Sequence, residues 1–166
     1  MARLPIAIAL LLAACGAASP PLPPDAAILP GTTVAQMLRQ CSRQAPAPGE
    51  AAWLPSAEDV LALEAALPAA LRPRPELREM HYPGDPDWAR APDGWRRQYV
   101  GIVRGGRRFI YGNFLPKRPE EGVEFGAADW RSVPIPVCDG GPVFFGVEYD
   151  VDAGRFTQIA FNGGLG

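Results

Sequence analysis

The apolar positions keep a helical period early in the chain and a strand period late in it. Thr32 and Thr33 precede Val34, Leu38 and Cys41, spaced i, i+4 and i+7. That spacing predicts a helix over 34–43 with Cys41 turned inward. Pro46, Pro48, Gly49 and Pro55 then break the pattern. Ser56 with Asp59 three positions on reads as a capping box, and Glu58 and Asp59 suit the positive start of a helix. Val60, Leu63, Leu67 and Leu71 hold one face of this second helix. Pro68 clashes in a helix interior with the carbonyl four residues back, so a stop near Leu67 or a kink into a turn through Leu71 is expected.

Residues 72–94 carry five prolines, two glycines and Trp88 without a period. A loop of that length inside a small domain is often functional; the plainer alternative is a cover packed by Trp88. From Trp95 the period becomes two. Gln98–Val103 and Phe109–Phe114 flank Arg104-Gly105-Gly106-Arg107, and a two-residue Gly-Gly turn is a strong hairpin signal because primed turns need positive φ. In that register Ile102 opposes Phe109 and Val100 opposes Tyr111. A strand is expected over 133–138, at an edge because of Pro134 and Pro136. A second hairpin joins 143–149 to 156–161 through Asp150-Val151-Asp152-Ala153-Gly154. The prediction is an α+β domain: N-terminal helices packed on one face of an antiparallel meander sheet of about five strands.

The amino end has a different character. Met1-Ala2-Arg3 is followed by an apolar run from Leu4 to Ala14, the pattern of a secretory signal. It is too short to span a bilayer core, which takes about 20 residues. Leu12-Ala13-Ala14-Cys15 resembles the lipobox of bacterial lipoproteins: a branched apolar residue, two small residues that admit the peptidase, and a thiol to accept the lipid. The resemblance implies lipidation at Cys15, a membrane anchor and a mature chain that begins there; the rival reading is an ordinary signal cut after Ala18. Gly16 stands where Asp favours inner-membrane retention in enteric bacteria, so the implied address is the outer membrane, facing the periplasm. The expected organisation is a signal peptide over 1–14, a flexible Pro/Ala-rich tether over 15–31 and one domain over 32–166.

The formal charge is −2, from 16 Lys and Arg against 18 Asp and Glu, and loss of Arg3 with the signal makes it one unit more negative. Such a balance gives no case for nucleic acid. With Cys15 acylated, Cys41 and Cys138 remain, and in an oxidising compartment they are expected to pair. The bond closes a loop of nearly a hundred residues, for which chain entropy gives up to about 4.7 kcal/mol. A metal site lacks ligands, since His81 is the sole histidine.

The carboxyl half carries Arg97-Gln98-Tyr99-Val100-Gly101, Arg108-Phe109-Ile110-Tyr111-Gly112-Asn113, Val137-Cys138-Asp139-Gly140-Gly141 and Phe161-Asn162-Gly163. Over about residues 53–163 this resembles a group of small, functionally uncharacterised proteobacterial lipoproteins and exported proteins. The resemblance implies export and a small α+β fold, and it transfers no activity and no catalytic residue.

The residues themselves offer little catalytic chemistry. None of Ser19, Ser42, Ser56 and Ser132 lies in a nucleophile elbow, and His81 falls in the proline-rich loop. The Asp150–Gly154 segment lacks the spacing and the closing Glu of a calcium loop. Asp139, Glu148 and Asp150 near strand ends are the one carboxylate set for a cell-wall hydrolase. Arg96, Arg97, Arg104, Arg107 and Arg108 cluster on the first hairpin beside Tyr99, Phe109 and Tyr111. With Asp139 near by, Arg104, Arg107, Arg108, Tyr99 and Tyr111 form the candidate surface for an anionic partner, against the alternative of a solvated strand edge. No cofactor is expected. The leading expectation is a non-enzymatic envelope module that binds another envelope protein or a glycan. The alternatives are the hydrolase, and a small-ligand module whose pocket is lined by Trp53, Trp88, Trp95 or Trp130.

Overall fold

The computed structural model describes residues 19–72, 74, 77, 86–117 and 129–163. In chain order the elements are β1 (Ala26–Ile28), α1 (Val34–Met37) behind a 3-10 turn at Gly31–Thr33, β2 (Ala51–Trp53) and α2 (Ala57–Leu71). A second 3-10 turn at Trp88–Arg90 leads into β3 (Trp95–Arg104), β4 (Arg107–Pro116), β5 (Phe145–Asp150) and β6 (Arg155–Phe161). The fold is mixed α/β, with one six-stranded sheet and two short helices.

The Gly-Gly hairpin organises the sheet. Gly105 and Gly106 take φ of 59° and 71°, the turn that only glycine enters freely. Ile102 stands opposite Phe109 and Val100 opposite Tyr111, in the expected register. The meander continues antiparallel from β4 through β5 to β6.

Two strands lie outside the predicted meander. β1 pairs parallel with the first half of β3, Ala26 opposite Arg97. It falls inside the stretch expected to be tether, and Ala26, Ala27 and Leu29 are buried. Three apolar residues between prolines are too few to show a period, yet they suffice to fill an open strand edge. β2 pairs antiparallel with the second half of β3, Trp53 opposite Gly101, where a Cβ would overlap the Trp53 indole and carbonyl.

The strand expected over 133–138 does not form. Pro134 and Pro136 remove ladder donors, and the Gln98 side chain serves instead. Its Nε2 donates to the carbonyls of Trp130 and Val133 at 2.6 and 2.7 Å, and its Oε1 accepts from the Ile135 amide at 3.0 Å. α1 ends at Met37, short of the expected 43, so Cys41 is exposed rather than inward. The expected disulfide is present: Cys41 and Cys138 are bonded, Cα atoms 4.9 Å apart, with both residues at the surface. The capping box of Ser56 and Asp59 forms as read, and α2 runs through Pro68 to Leu71.

Alternation along the strands divides the core. Val60, Leu63, Leu67 and Leu71 of α2 share a buried cluster with Trp95, Tyr99, Ile110, Phe114, Phe145 and Val147. Met37 of α1 joins Ala27, Leu29, Val100, Ile102, Phe109 and Tyr111. Neighbouring strand residues point to opposite faces, so the two helices contribute to different faces, where both were expected on one.

Candidate functional site

Three cavities among the described residues border the turn at residues 86–94, within the long loop. Asp87 caps it by accepting from the Ala89 amide at 2.9 Å, and the amides of Arg90 and Asp93 close on the carbonyls of Asp87 and Arg90. Gly94 takes φ of 89° and lies so close to Pro86 that a Cβ would overlap its ring. The turn sets Trp88 against Trp95, Phe145 and Phe161, with ring centroids 5.1, 5.4 and 5.8 Å away.

One side of this turn walls a cavity of about 580 Å³ with Pro68, Leu71, Leu77 and Ala89, with Trp88 among them and Arg72, Arg74 and Asp87 as its charged members. The Trp88 Nε1–H is buried and has no hydrogen-bond partner among the described residues. A buried donor left unmade costs about 1–3 kcal/mol, so it is an unusual feature in a core.

The other side opens a cleft of about 580 Å³ between Pro23–Asp25, α2 and the start of β3, lined also by Arg90, Asp93 and Lys117. Its floor is ionic. Arg97 holds the Glu64 carboxylate through Nε at 3.0 Å and Nη2 at 3.3 Å, and the Tyr99 hydroxyl donates to Glu64 at 2.8 Å. Arg97 Nη1 donates to the Trp95 carbonyl at 2.7 Å. Burial, joined by the Glu64 charge, pushes the Tyr99 hydroxyl well above its ordinary value. At the rim a 2.6 Å bond to Lys117 holds Asp25 below the usual carboxylate range. Glu64 is occupied on both oxygens by buried donors, which suits a structural counter-ion and not a general acid or base.

The sequence-predicted binding residues are placed apart. Tyr99 and Tyr111 are buried at 0% and 1% exposure; Tyr111 accepts from the buried Arg43 guanidinium at 3.3 Å, and burial raises its hydroxyl pKa. The hairpin arginines each meet a carboxylate. Arg104 Nη2 donates to Glu148 at 2.8 Å, Arg107 pairs with Asp150, and Arg108 Nη2 donates to Asp152 at 3.1 Å. Arg104 also covers the Phe109 ring, and Arg108 the Trp53 ring. Asp139 is exposed beside the disulfide, and its carbonyl accepts from Asn162 Nδ2 at 3.0 Å. The carboxylates of the hydrolase reading do not line a cleft: the side chains of Glu148 and Asp150 are 4% and 0% exposed, inside their ion pairs. Cys15 and His81 lie outside the described residues.

Of the four tryptophans, Trp88 lines the cavity walled by Pro68, Leu71, Leu77 and Ala89. Trp95 is fully buried and donates to the Val143 carbonyl at 2.8 Å. Trp53 donates to Phe109 at 3.0 Å, and Trp130 lies under Arg96 and Arg131, 5.9 and 4.2 Å from its centroid. Two buried charges were missed. Glu64 shares the apolar face of α2, four residues after Val60 and three before Leu67, and a charge inside that stripe is a visible signal. Arg43 has no such signal. It is held by neutral oxygens, those of Tyr111, of Asn113 at 2.5 Å and of Asn162 at 2.6 Å. Among the described residues no group of three His, Cys, Asp or Glu side chains is placed to hold a metal.

No family model, curated protein or solved structure matches the chain. The functional reading therefore rests on the residues and their geometry.

Proposed function

We propose that this protein is a non-enzymatic binding module of the cell envelope, exported by its amino-terminal segment, anchored through lipid on Cys15 and facing the periplasm. Its ligand is a small amphipathic molecule with an apolar body and a hydrogen-bond acceptor, taken into the cavity beside Trp88. The observation that carries the reading is the Trp88 indole. It lines a mainly apolar cavity of about 580 Å³, and its buried donor has no hydrogen-bond partner among the described residues. Two further features agree. Among the described residues the large exposed hydrophobics are Leu54 and Val133 alone, and these do not make a broad apolar face of the kind that a protein partner covers. Glu148 and Asp150 are shut inside ion pairs, which removes support from hydrolysis.

The test uses anilinonaphthalene sulfonate, an aromatic probe with an anionic acceptor. The folded protein is expected to bind it saturably, with one probe per chain. Trp88→Phe keeps the ring and removes the N–H, so affinity should fall about fivefold, the equivalent of one hydrogen bond. Trp88→Ala should abolish saturation while the melting transition stays cooperative. Saturable binding that ignores both substitutions would reject the site. Mass spectrometry of the protein from a lipoprotein-processing host tests the anchor: the Cys15→Ser chain should carry no acyl mass and leave the membrane fraction.

A further inference from the structure

The point at which the chain enters the domain determines which end of the molecule meets the membrane, an inference that rests on lipidation at Cys15. Leu22 already packs against the main core, and Pro23, Pro24 and Asp25 wall the charged cleft. The seven residue steps from Cys15 to Leu22 reach at most about 25 Å fully extended, and less as polyproline. β1 then runs beside the first residues of β3. β3 is ten residues long, so the Gly105-Gly106 tip lies about 30 Å beyond the end where the chain enters. The two ends are thus the proximal and distal ends relative to the anchor.

The proximal end carries Arg90, Arg96, Lys117 and Arg131. Arg131 Nη2 donates to the Pro24 carbonyl at 3.0 Å, which fixes it beside the incoming chain, and Arg96 and Arg131 both cover Trp130. Arg90, Arg96 and Arg131 form no salt bridge among the described residues, although the Arg131 charge helps to lower the pKa of Asp25. Among the described residues Asp25 pairs with Lys117, Asp87 accepts from the Ala89 amide, Asp129 accepts from the Arg131 amide and from Ser132, and Asp93 is exposed. Arginine with tryptophan, an amphipathic ring under a planar cation, is a side-chain chemistry suited to the headgroup layer. The geometry points to a membrane-docking end: the Arg90, Arg96, Arg131 and Trp130 surface rests on anionic headgroups of the bilayer that holds the anchor, with the Gly105-Gly106 tip directed away.

The experiment uses the lipidated full chain in vesicles of phosphatidylethanolamine and phosphatidylglycerol that contain a headgroup-labelled acceptor lipid. A donor dye is attached to a single free thiol at Ser132→Cys on the proximal end or at Ala153→Cys on the distal end. With the ends about 30 Å apart, energy transfer should be about twofold or more greater at 132 than at 153. Arg90→Glu, Arg96→Glu and Arg131→Glu together should erase most of that difference while the protein still floats with the vesicles. The milder Arg→Gln set should reduce it, and melting curves confirm that both sets fold. Equal transfer at the two sites, or greater transfer at 153, overturns the docking end while the anchor stands. Protein that does not float with the vesicles overturns the anchor, and the docking end with it.

Discussion

The two ends of the sheet use arginine in different ways. At the distal end Arg104, Arg107 and Arg108 are partly exposed cations pinned to carboxylates, two of which, Glu148 and Asp150, are buried on the sheet. At the proximal end Arg90, Arg96 and Arg131 spread over a turn and a tryptophan and form no salt bridge among the described residues. The hairpin cluster that stands out in the sequence is therefore the self-neutralised one. A cation count cannot separate a counter-ion from a cation that faces outward; the burial of the partner carboxylate decides it. Below the proximal surface lies an exception that sharpens the contrast, the buried pair of Arg97 and Glu64.

That pair carries the largest expected effect. Glu64→Gln leaves the shape and removes the charge that Arg97, 5% exposed, needs in the core. Breaking a buried pair by removing one partner costs about 3–5 kcal/mol. The denaturation midpoint should fall accordingly with an unchanged slope. A loss below about 1 kcal/mol would mean that solvent reaches Arg97 through the cleft and that the proximal charges form one exposed set.

What the sequence disclosed follows from how local each signal is. The Gly105-Gly106 hairpin, its register and the Ser56 capping box depend on residues within a few positions of one another, and they form as read. The Cys41–Cys138 bond was legible from cysteine count and compartment. β1 and β2 were not, because three residues show no period and their pairing is non-local. The 133–138 segment reads as a strand by composition, yet its prolines yield the ladder to the Gln98 side chain. For the site, the long loop around Trp88 was marked by its length and does border the cavities. The partners of the hairpin arginines, about 40 residues away in the chain, had no local sign.

The next test sets one end against the other directly. Arg107→Ala strips Asp150, fully buried, of its cation, although the Ala153 amide still donates to it at 3.0 Å. Arg107 itself is half-exposed, so solvent screening trims the loss to about 1–2 kcal/mol. Arg90→Ala removes an exposed cation with no carboxylate partner among the described residues, and stability should stay within about 0.5 kcal/mol. Thermal melts of the two variants side by side decide the matter. Equal losses would erase the distinction between pinned and outward-facing arginines.

The smallest effect is an acid one, and it too differs between the ends. At the distal end Glu50 accepts from the Gly106 and Gly105 amides, both at 3.1 Å, and the Gly106 bond leads in lowering its pKa. Asp152 is lowered first by its bond from the Arg108 side chain, then by the Arg108 amide. At the proximal end Asp25 is lowered mainly by Lys117. A carboxylate lowered in the folded state contributes stability that is full above its unfolded pKa, about 4, and is lost as pH falls through the lower folded value. The melting temperature should therefore be flat from about pH 7 to 5 and decline below about pH 4, less steeply in high salt because these groups are exposed. Glu50→Gln with Asp152→Asn removes two of the three groups and should flatten the decline more than Asp25→Asn does. The reverse order would place the dominant acid-sensitive contact at the proximal end, where protonation of Asp25 would release Lys117 beside the chain that leads to the anchor.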